Sequence, residues 1–283
     1  MKKLATYLCL LISLLSLPLA GVAAKTTASA NPANVSAARK LVNKMLTGQG
    51  TIVESFSAVN NLIGFVVKSN QGGNGIIYAD KAGKYIFSGS IIDANGQDLT
   101  QVYTNQYINS KLAGPAYNEA ASLSWFADGN DNAPHKAYII FDPNCIFCHA
   151  LYQQIQPLIA EGQVQVRWIP VAFRDPSSPG KAAAMLNAGS DAESSKLLAH
   201  NEANFNDQTE TGSLTPLKPD ANDKQVSAAF NKVAHNTAFF SKFGFQGTPT
   251  ILYKQANGKV MMVPGLPRGQ AFTNMINSMG SDW

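Results

Sequence analysis

The chain has 283 residues, of which 45% are hydrophobic and 14% charged, and its formal net charge at pH 7 is +4. A charge this small, with no basic stripe, argues against a nucleic-acid partner, and the apolar content is ample for a buried core. The length suits two domains or one large domain.

The first 24 residues have the pattern of a secretory signal peptide. Two lysines follow the first residue, an apolar run extends over residues 4–19, and a Val-Ala-Ala sequence ending at Ala24 suits cleavage. The run is short for a membrane span. We therefore expect an exported protein in an oxidising compartment, which loses Cys9 with the signal peptide.

Residues 25–36 have the composition of a flexible lead-in, and residues 37–101 are predicted to form a small α+β domain. The predicted elements are one helix and four strands, separated by turn sequences: helix Ala37 to Leu46, then strands Thr51 to Phe56, Ile63 to Val67, Gly75 to Tyr78 and Tyr85 to Ile92. So small a core favours oligomerisation or docking onto another domain.

An Ala-rich segment with widely spaced aromatic residues extends from residue 101 to 127. We interpret it as a connecting helix that is broken around Gly114-Pro115. The loop sequence 129–134 ends it, so the linker is assigned to residues 102–133 and a second domain to residues 134–283.

The second domain opens with a strand, a helix and another strand, which is the pattern of a right-handed βαβ unit. The strands are predicted at Lys136 to Phe141 and Val164 to Val171, with Pro157 kinking the helix between them. Residues 179–243 form an expected helical insertion. A hairpin across Asn257-Gly258 and a last helix from about Arg268 to Met279 follow.

Cys145 and Cys148 are the only cysteines left once the signal peptide is removed. A single Cys-x-x-Cys pair in an exported chain is typical of disulfide exchange, which needs a thiolate. If Cys145 lies at the amino terminus of the predicted helix, free N–H groups there lower its pKa. Cys145 is then the attacking thiol, and Cys148, one turn on and more buried, is the resolving thiol.

The chain resembles the periplasmic disulfide isomerase family of the DsbC/DsbG type, with a greater similarity to DsbG. Five segments carry the resemblance, in the family's order and across essentially the whole mature chain: Ser88 to Leu99, Trp125 to Gly129, Asp142 to Cys148, Gly247 to Pro249 and Val263 to Pro267.

The resemblance implies an α+β fold with a cystatin-like dimerisation domain, a linker helix and a thioredoxin-like domain that carries a helical insertion. It implies a periplasmic, V-shaped homodimer with isomerase or reductase activity and chaperone-like binding of unfolded or misoxidised exported proteins. A DsbD-type inner-membrane thiol reductant would keep it reduced. The redox group would be the cysteine pair itself, with no further cofactor and no metal. Thr248 and Pro249 would bind substrate, with the proline in the cis form beside the active cysteine.

Three residues beside the dithiol are predicted to tune its redox chemistry. The family usually has Gly-Tyr or Pro-Tyr between the cysteines, whereas this chain has Ile146-Phe147, which offers no charge or hydrogen bond to a thiolate. Asp142 is interpreted either as a proton relay for the dithiol or as a turn and helix-capping residue.

Several alternatives remain open at this stage. The cysteines could form a static disulfide, although a bridge that closes so short a loop stabilises a fold little. A zinc site would need a second pair of ligands, and the sequence has no second cysteine pair and no histidine pair at the required spacing. Cys145 to His149 also matches the c-type haem attachment pattern. His135, His200 and His235 are each interpreted as surface residues. Four phenylalanines are assigned to the core or else to a client-binding surface: Phe239, Phe240, Phe243 and Phe245. The alternative functions are a disulfide oxidase and a chaperone with a secondary redox role.

Overall fold

The computed structural model describes residues 32–283, with side chains from residue 35 onward. The predicted signal peptide and residues 25–31 of the predicted lead-in lie outside the described residues. The first helix, α1, spans Pro32–Leu46 and so begins earlier than the expected start at Ala37. A proline is well accommodated in the first turn of a helix, because its missing N–H would have no partner there anyway.

Four antiparallel strands form the amino-terminal sheet in the order β1-β2-β3-β4. Their bounds are β1 Gly50–Ser57, β2 Leu62–Ser69, β3 Asn74–Asp80 and β4 Ile86–Ser88. Alternate side chains point to opposite faces of a strand. Ile63 and Phe65 therefore pack against α1 on one face, while Val66 and Tyr78 pack on the other face against the helix that follows the sheet. The sheet is thus covered on both sides.

The helix that follows is continuous, and the predicted break at Gly114-Pro115 is wrong. It comprises α2 (Leu99–Thr104), a π-helical turn (Asn105–Asn109) and α3 (Ser110–Ala120). An internal proline costs a helix about 3 kcal/mol. Pro115 lies on the exposed side, and a row of small buried residues packs the other side against the second sheet. This packing keeps the helix intact through the proline.

Five strands form the second sheet, in the order β5-β7-β6-β8-β9. Their bounds are β5 Phe126–Asp128, β6 His135–Phe141, β7 Val164–Pro170, β8 Thr250–Lys254 and β9 Val260–Pro264. The pair β6 and β7 is parallel, as the predicted βαβ unit requires, and all other pairs are antiparallel. The sequence does not predict β5, because three residues are too few for a recognisable alternation.

Helices cover both faces of this sheet. The remaining helices are α4 Ile146–Ala160, α5 Ser178–Leu186, α6 Asp191–Ala203, α7 Lys224–Phe243 and α8 Gln270–Ser278. Helices α4 and α8 pack on one face, and α3 and α7 pack on the other, where Phe239, Phe240 and Phe243 are buried as core residues. The insertion is helical apart from residues 187–190 and 204–223. None of the helices in the described part of the chain is long and apolar enough to cross a membrane.

Candidate active site

The two cysteines lie where β6 turns into α4. Cys145 is the residue that caps the amino terminus of α4, with an extended backbone. Its N–H donates to the Asp142 carbonyl (3.0 Å), and its own carbonyl accepts from the N–H of Cys148 (2.9 Å). The strand, turn and helix predicted from the sequence therefore place the first cysteine at the helix terminus and the second one turn later.

The Asp142 carboxylate organises the turn that precedes the cysteines. One oxygen accepts from the N–H of Asn144 (3.0 Å) and from the Ser178 hydroxyl (2.7 Å). The other accepts from the backbone N–H groups of Phe173 (2.9 Å) and Arg174 (3.1 Å). The carboxylate is buried, and its hydrogen bonds go to the turn and to the loop after β7. This arrangement supports the turn role that the sequence left open.

Asn144, directly before Cys145, is held by a buried lysine that the sequence analysis did not identify. Its amide oxygen accepts from the Lys181 ammonium group (2.7 Å) and from the N–H of Gly212 (3.1 Å), and its amide nitrogen donates to Ser178 (2.9 Å). Lys181 also donates to the Gly212 carbonyl (2.6 Å). Desolvation by burial lowers the pKa of Lys181. The helical insertion thus fixes the residue next to the thiol.

Both cysteines are free thiols, and their surroundings give the two thiols different pKa values. The pKa of Cys145 is lowered to about 6, mainly by a hydrogen bond from Cys148 and then by the Thr248 hydroxyl and the N–H groups of the first helical turn, against the effect of burial. The pKa of Cys148 is raised well above its usual value by burial and by the neighbouring Cys145 sulfur. Near neutral pH, Cys145 therefore carries the thiolate.

Thr248 lies against the sulfur of Cys145, and Pro249 follows it in the chain. The peptide bond between them is cis, as the resemblance implied. The Cys145 thiol donates to the Thr248 carbonyl at 3.2 Å. The buried Thr248 hydroxyl interacts with the sulfurs of Cys145 and Cys148 through long hydrogen bonds, and it has no closer partner among the described residues. Because β8 begins only at Thr250, the backbone at Thr248 precedes the paired part of the strand.

The two residues between the cysteines differ in exposure. Ile146 is half-buried, whereas 51% of Phe147 is exposed beside the dithiol. Phe147 and Thr248 both line a cavity of about 510 Å³ between the catalytic sheet and the linker helix. An exposed aromatic ring so close to a thiolate is a contact surface for whatever approaches the sulfur.

His149 is tied to the helical insertion. Its Nδ1 lies 2.7 Å from a Glu202 carboxylate oxygen, its Nε2 lies 2.8 Å from the amide of Gln153, and its ring stacks on Phe205. The hydrogen bond with Glu202 raises the pKa of His149. Both ring nitrogens are thus engaged by protein groups, which favours a structural role over haem ligation.

The remaining histidines lie apart from the cysteines. His200 and His235 are exposed, as expected, while His135 is half-buried, with its Nδ1 3.0 Å from the Met279 carbonyl oxygen. Within residues 32–283, no cluster of three or more His, Cys, Asp or Glu side chains could hold a metal ion.

Two protein families match this chain, one in each half. A thioredoxin-like domain matches residues 128–280, which is more than half of the chain. The disulfide bond isomerase protein N-terminal domain matches residues 27–101. The two matches together cover the first sheet and all of the second except the first two residues of β5.

Two curated relatives carry the description thiol:disulfide interchange protein DsbG. The protein from Pseudomonas aeruginosa is 29% identical over 226 residues, which cover 80% of this chain and 83% of the relative. The protein from Escherichia coli K12 is also 29% identical over 226 residues, covering 79% and 86%. Among solved structures, the catalytic domain of Proteus mirabilis ScsC matches at 15% identity with a TM-score of 0.42, covering 60% of this chain and 97% of that domain. A likeness at that TM-score adds nothing to the family matches.

Proposed function

Because this chain belongs to the thioredoxin-like disulfide interchange family of the DsbC/DsbG type, we propose that it is a disulfide isomerase and reductase of exported proteins. The observation that carries the proposal is the acidic Cys145 thiol at the amino terminus of α4, in contact with the cis Thr248-Pro249 segment. The redox group is the cysteine pair itself.

Reduction proceeds in two exchange steps. The Cys145 thiolate attacks one sulfur of a client disulfide, so that a mixed disulfide forms and the other client sulfur leaves as a thiolate. Cys148 loses its proton, attacks the Cys145 sulfur and expels the first client sulfur as a second thiolate. The client gains two electrons and, after protonation, two thiols, while the protein is left with the Cys145–Cys148 disulfide.

Isomerisation uses the first step alone. A different client thiolate attacks the mixed disulfide, forms a new client disulfide and releases the Cys145 thiolate unchanged. The low pKa of Cys145 assists here, because a stable thiolate is also a good leaving group. The raised pKa of Cys148 keeps that residue protonated and slows the competing reductive step.

The neighbouring residues have distinct proposed roles. Thr248 and Pro249 hold the client backbone beside the sulfur, as an added strand would. Ile146 and Phe147 set the redox poise and present an apolar surface without adding charge to the thiolate. Asp142 acts on the dithiol indirectly, by fixing the turn through the four hydrogen bonds described above.

The proposal extends to assembly and location. Residues 37–101 form the dimerisation domain of a periplasmic homodimer, and residues 134–283 form its catalytic domain. The stretch 102–133 between them holds the linker helix, which ends at Ala120, and also β5, an edge strand of the catalytic sheet. An exposed Val53 on edge strand β1 supports association through the first sheet. Unfolded or misoxidised exported proteins are the clients, and a DsbD-type inner-membrane thiol reductant restores the dithiol.

The experiment that tests this function is acid-quenched alkylation of the protein in its own compartment, with the fraction of reduced Cys145 and Cys148 measured by mass. We expect a mostly reduced pair, since only the thiolate can attack a wrong disulfide. A mostly oxidised pair would overturn the proposal in favour of a disulfide oxidase. The Cys145→Ser/Cys148→Ser double variant provides the unreactive mass standard.

A further inference from the structure

A buried lysine on α5 contacts the residue that precedes the attacking cysteine. We propose that Lys181 is a positioning residue for disulfide exchange: its ammonium group, held by Asn144, balances the buried Asp142 carboxylate and so stabilises the Cys145 thiolate. This inference rests on the proposed function and deepens it, because it names a group that sets how readily the dithiol is oxidised.

Asn144 joins Lys181 to Asp142 through two hydrogen bonds. Its amide oxygen accepts from the Lys181 ammonium group (2.7 Å), and its backbone N–H donates to the Asp142 carboxylate (3.0 Å). Among the described residues, no ion pair joins either charged group directly to an opposite charge. The ammonium group and the carboxylate therefore act on each other across the residue next to Cys145.

All three residues are withdrawn from water. Lys181 is 4% exposed, and Asn144 and Asp142 are each 1% exposed. Lys181 is the only lysine or arginine that is buried in the part of the chain that the structure describes. Charges interact strongly where water is excluded, because the effective dielectric constant is low. The Lys181 charge therefore has a larger effect on the turn than the charge of a surface lysine.

The acidic groups around the turn make this cation important. The Asp142 carboxylate accepts hydrogen bonds only from uncharged donors among the described residues. Glu202 is also buried, and it lies 2.7 Å from Nδ1 of His149. Desolvation lowers the pKa of Lys181, and the negative charges of Asp175, Asp142 and Glu202 oppose that effect. Without the lysine, the field at the dithiol becomes more negative, which disfavours a thiolate.

The charge acts on the redox equilibrium in a defined direction. A stabilised thiolate is a stabilised reduced form, so the corresponding disulfide is the stronger oxidant. Loss of the ammonium charge should therefore make the Cys145 thiol less acidic and the dithiol easier to oxidise. We expect the pKa of Cys145 in Lys181→Met to rise by at least about half a pH unit, which shifts the equilibrium with glutathione at pH 7 at least about twofold toward the disulfide.

The test measures both quantities on the folded protein. The pH midpoint of iodoacetamide alkylation gives the pKa of Cys145, and equilibration with defined ratios of reduced and oxidised glutathione gives the equilibrium constant. Circular dichroism establishes that each variant is folded under these conditions. Lys181→Gln keeps hydrogen-bond donors without the charge. It replaces Lys181→Met if that variant does not fold, and the same two shifts are expected.

Two controls separate the buried charge from other effects of the substitution. Lys196→Met removes an equal charge from a side chain that is 72% exposed, on the neighbouring helix α6. Val233→Ala loosens the same insertion without a change of charge, because Val233 of α7 packs in one buried cluster with Ala182 of α5. Neither control should change the alkylation midpoint or the glutathione equilibrium.

Two results would overturn the inference: a lysine variant that matches the wild type in both quantities, or a Val233→Ala variant that shifts them as much as the lysine variant does. Failure of the proposed function has a different signature. In that case the wild-type dithiol would be mostly oxidised in its own compartment, although loss of the Lys181 charge still raised the alkylation midpoint of the purified protein.

Discussion

The sulfur of Cys145 lies 3.2 Å from the carbonyl oxygen of Thr248, although 103 residues separate them in the chain. One residue caps a helix, and the other precedes the cis proline at the start of a strand. A client segment that pairs with the backbone at Thr248 is thereby brought to the nucleophile. The geometry couples client binding to attack.

Because Cys145 attacks and Cys148 resolves, replacing each cysteine by serine should have a different effect. Cys145→Ser should abolish disulfide exchange, because Cys148 is buried and its pKa is raised. Cys148→Ser should keep the attack but accumulate mixed disulfides with clients, visible as dithiothreitol-sensitive bands on non-reducing gels. Full isomerase activity in Cys145→Ser would show that another thiol attacks.

The pH dependence of reactivity follows from the lowered pKa of Cys145. The rate of alkylation by iodoacetamide should rise through a midpoint near pH 6 and level off above it, because the thiolate is the reactive form. The Thr248→Val variant should shift the midpoint upward, since the Thr248 hydroxyl favours the thiolate. If the alkylation rate of the wild-type protein had its midpoint at the ordinary thiol pKa, the surroundings of Cys145 would not lower its pKa.

The same shift makes the stability of the reduced protein depend on pH. The pKa of Cys145 is lower in the folded protein than in the unfolded chain. The Cys145 thiolate therefore contributes its full share to the free energy of unfolding above the unfolded thiol pKa, and this contribution is lost as the pH falls through about 6. The urea midpoint of reduced wild-type protein, relative to Cys145→Ser, should therefore increase from pH 6 to pH 9. A constant difference would argue that the thiolate is not stabilised by the fold.

Replacing the buried Lys181 by Met should destabilise the fold by about 1–3 kcal/mol, because two buried acceptors each lose a charged donor. Those acceptors are the Asn144 amide oxygen and the Gly212 carbonyl. Lys196→Met is the control, since the Lys196 side chain is 72% exposed and pairs only at the surface; it should change the free energy of unfolding by less than about 0.5 kcal/mol. Equal urea midpoints for the two variants would show that the buried network contributes little.

The contact between Gly73 and Gly244 predicts an unequal pair of glycine substitutions. Gly244 and Gly258 both have left-handed backbones, with φ of 65° and 82°. A Cβ at Gly244 would overlap the backbone of Gly73, whereas one at Gly258 would meet nothing. Gly258→Ala should cost about 1 kcal/mol from backbone strain alone. Gly244→Ala should cost more in urea unfolding, or else open the gap between the domains and increase the radius measured by small-angle scattering.

Features that depend on local patterns were predictable from the amino-acid sequence alone. Strand-like runs separated by turn sequences predicted the four-stranded sheet. A continuous apolar run followed by helical spacing predicted the βαβ unit, and the Asn257-Gly258 turn predicted the final hairpin. The spacing of Cys145 and Cys148 after an apolar strand predicted a dithiol at a helix terminus, and the resemblance implied the cis proline. Each of these signals lies within a few residues of the feature that it predicts.

Features that join distant segments depend on tertiary packing and could not be predicted from local patterns. Packing of α3 on the second sheet keeps the linker helix continuous at Pro115, against the local preference of proline. The hydrogen bond from Lys181 to Asn144 spans 37 residues, and a lysine in an Ala-rich helix has no local signature of burial. The cavity at Thr248 exists because the linker helix faces the loop that precedes β8. Such contacts depend on how whole elements pack, so no short stretch of sequence encodes them.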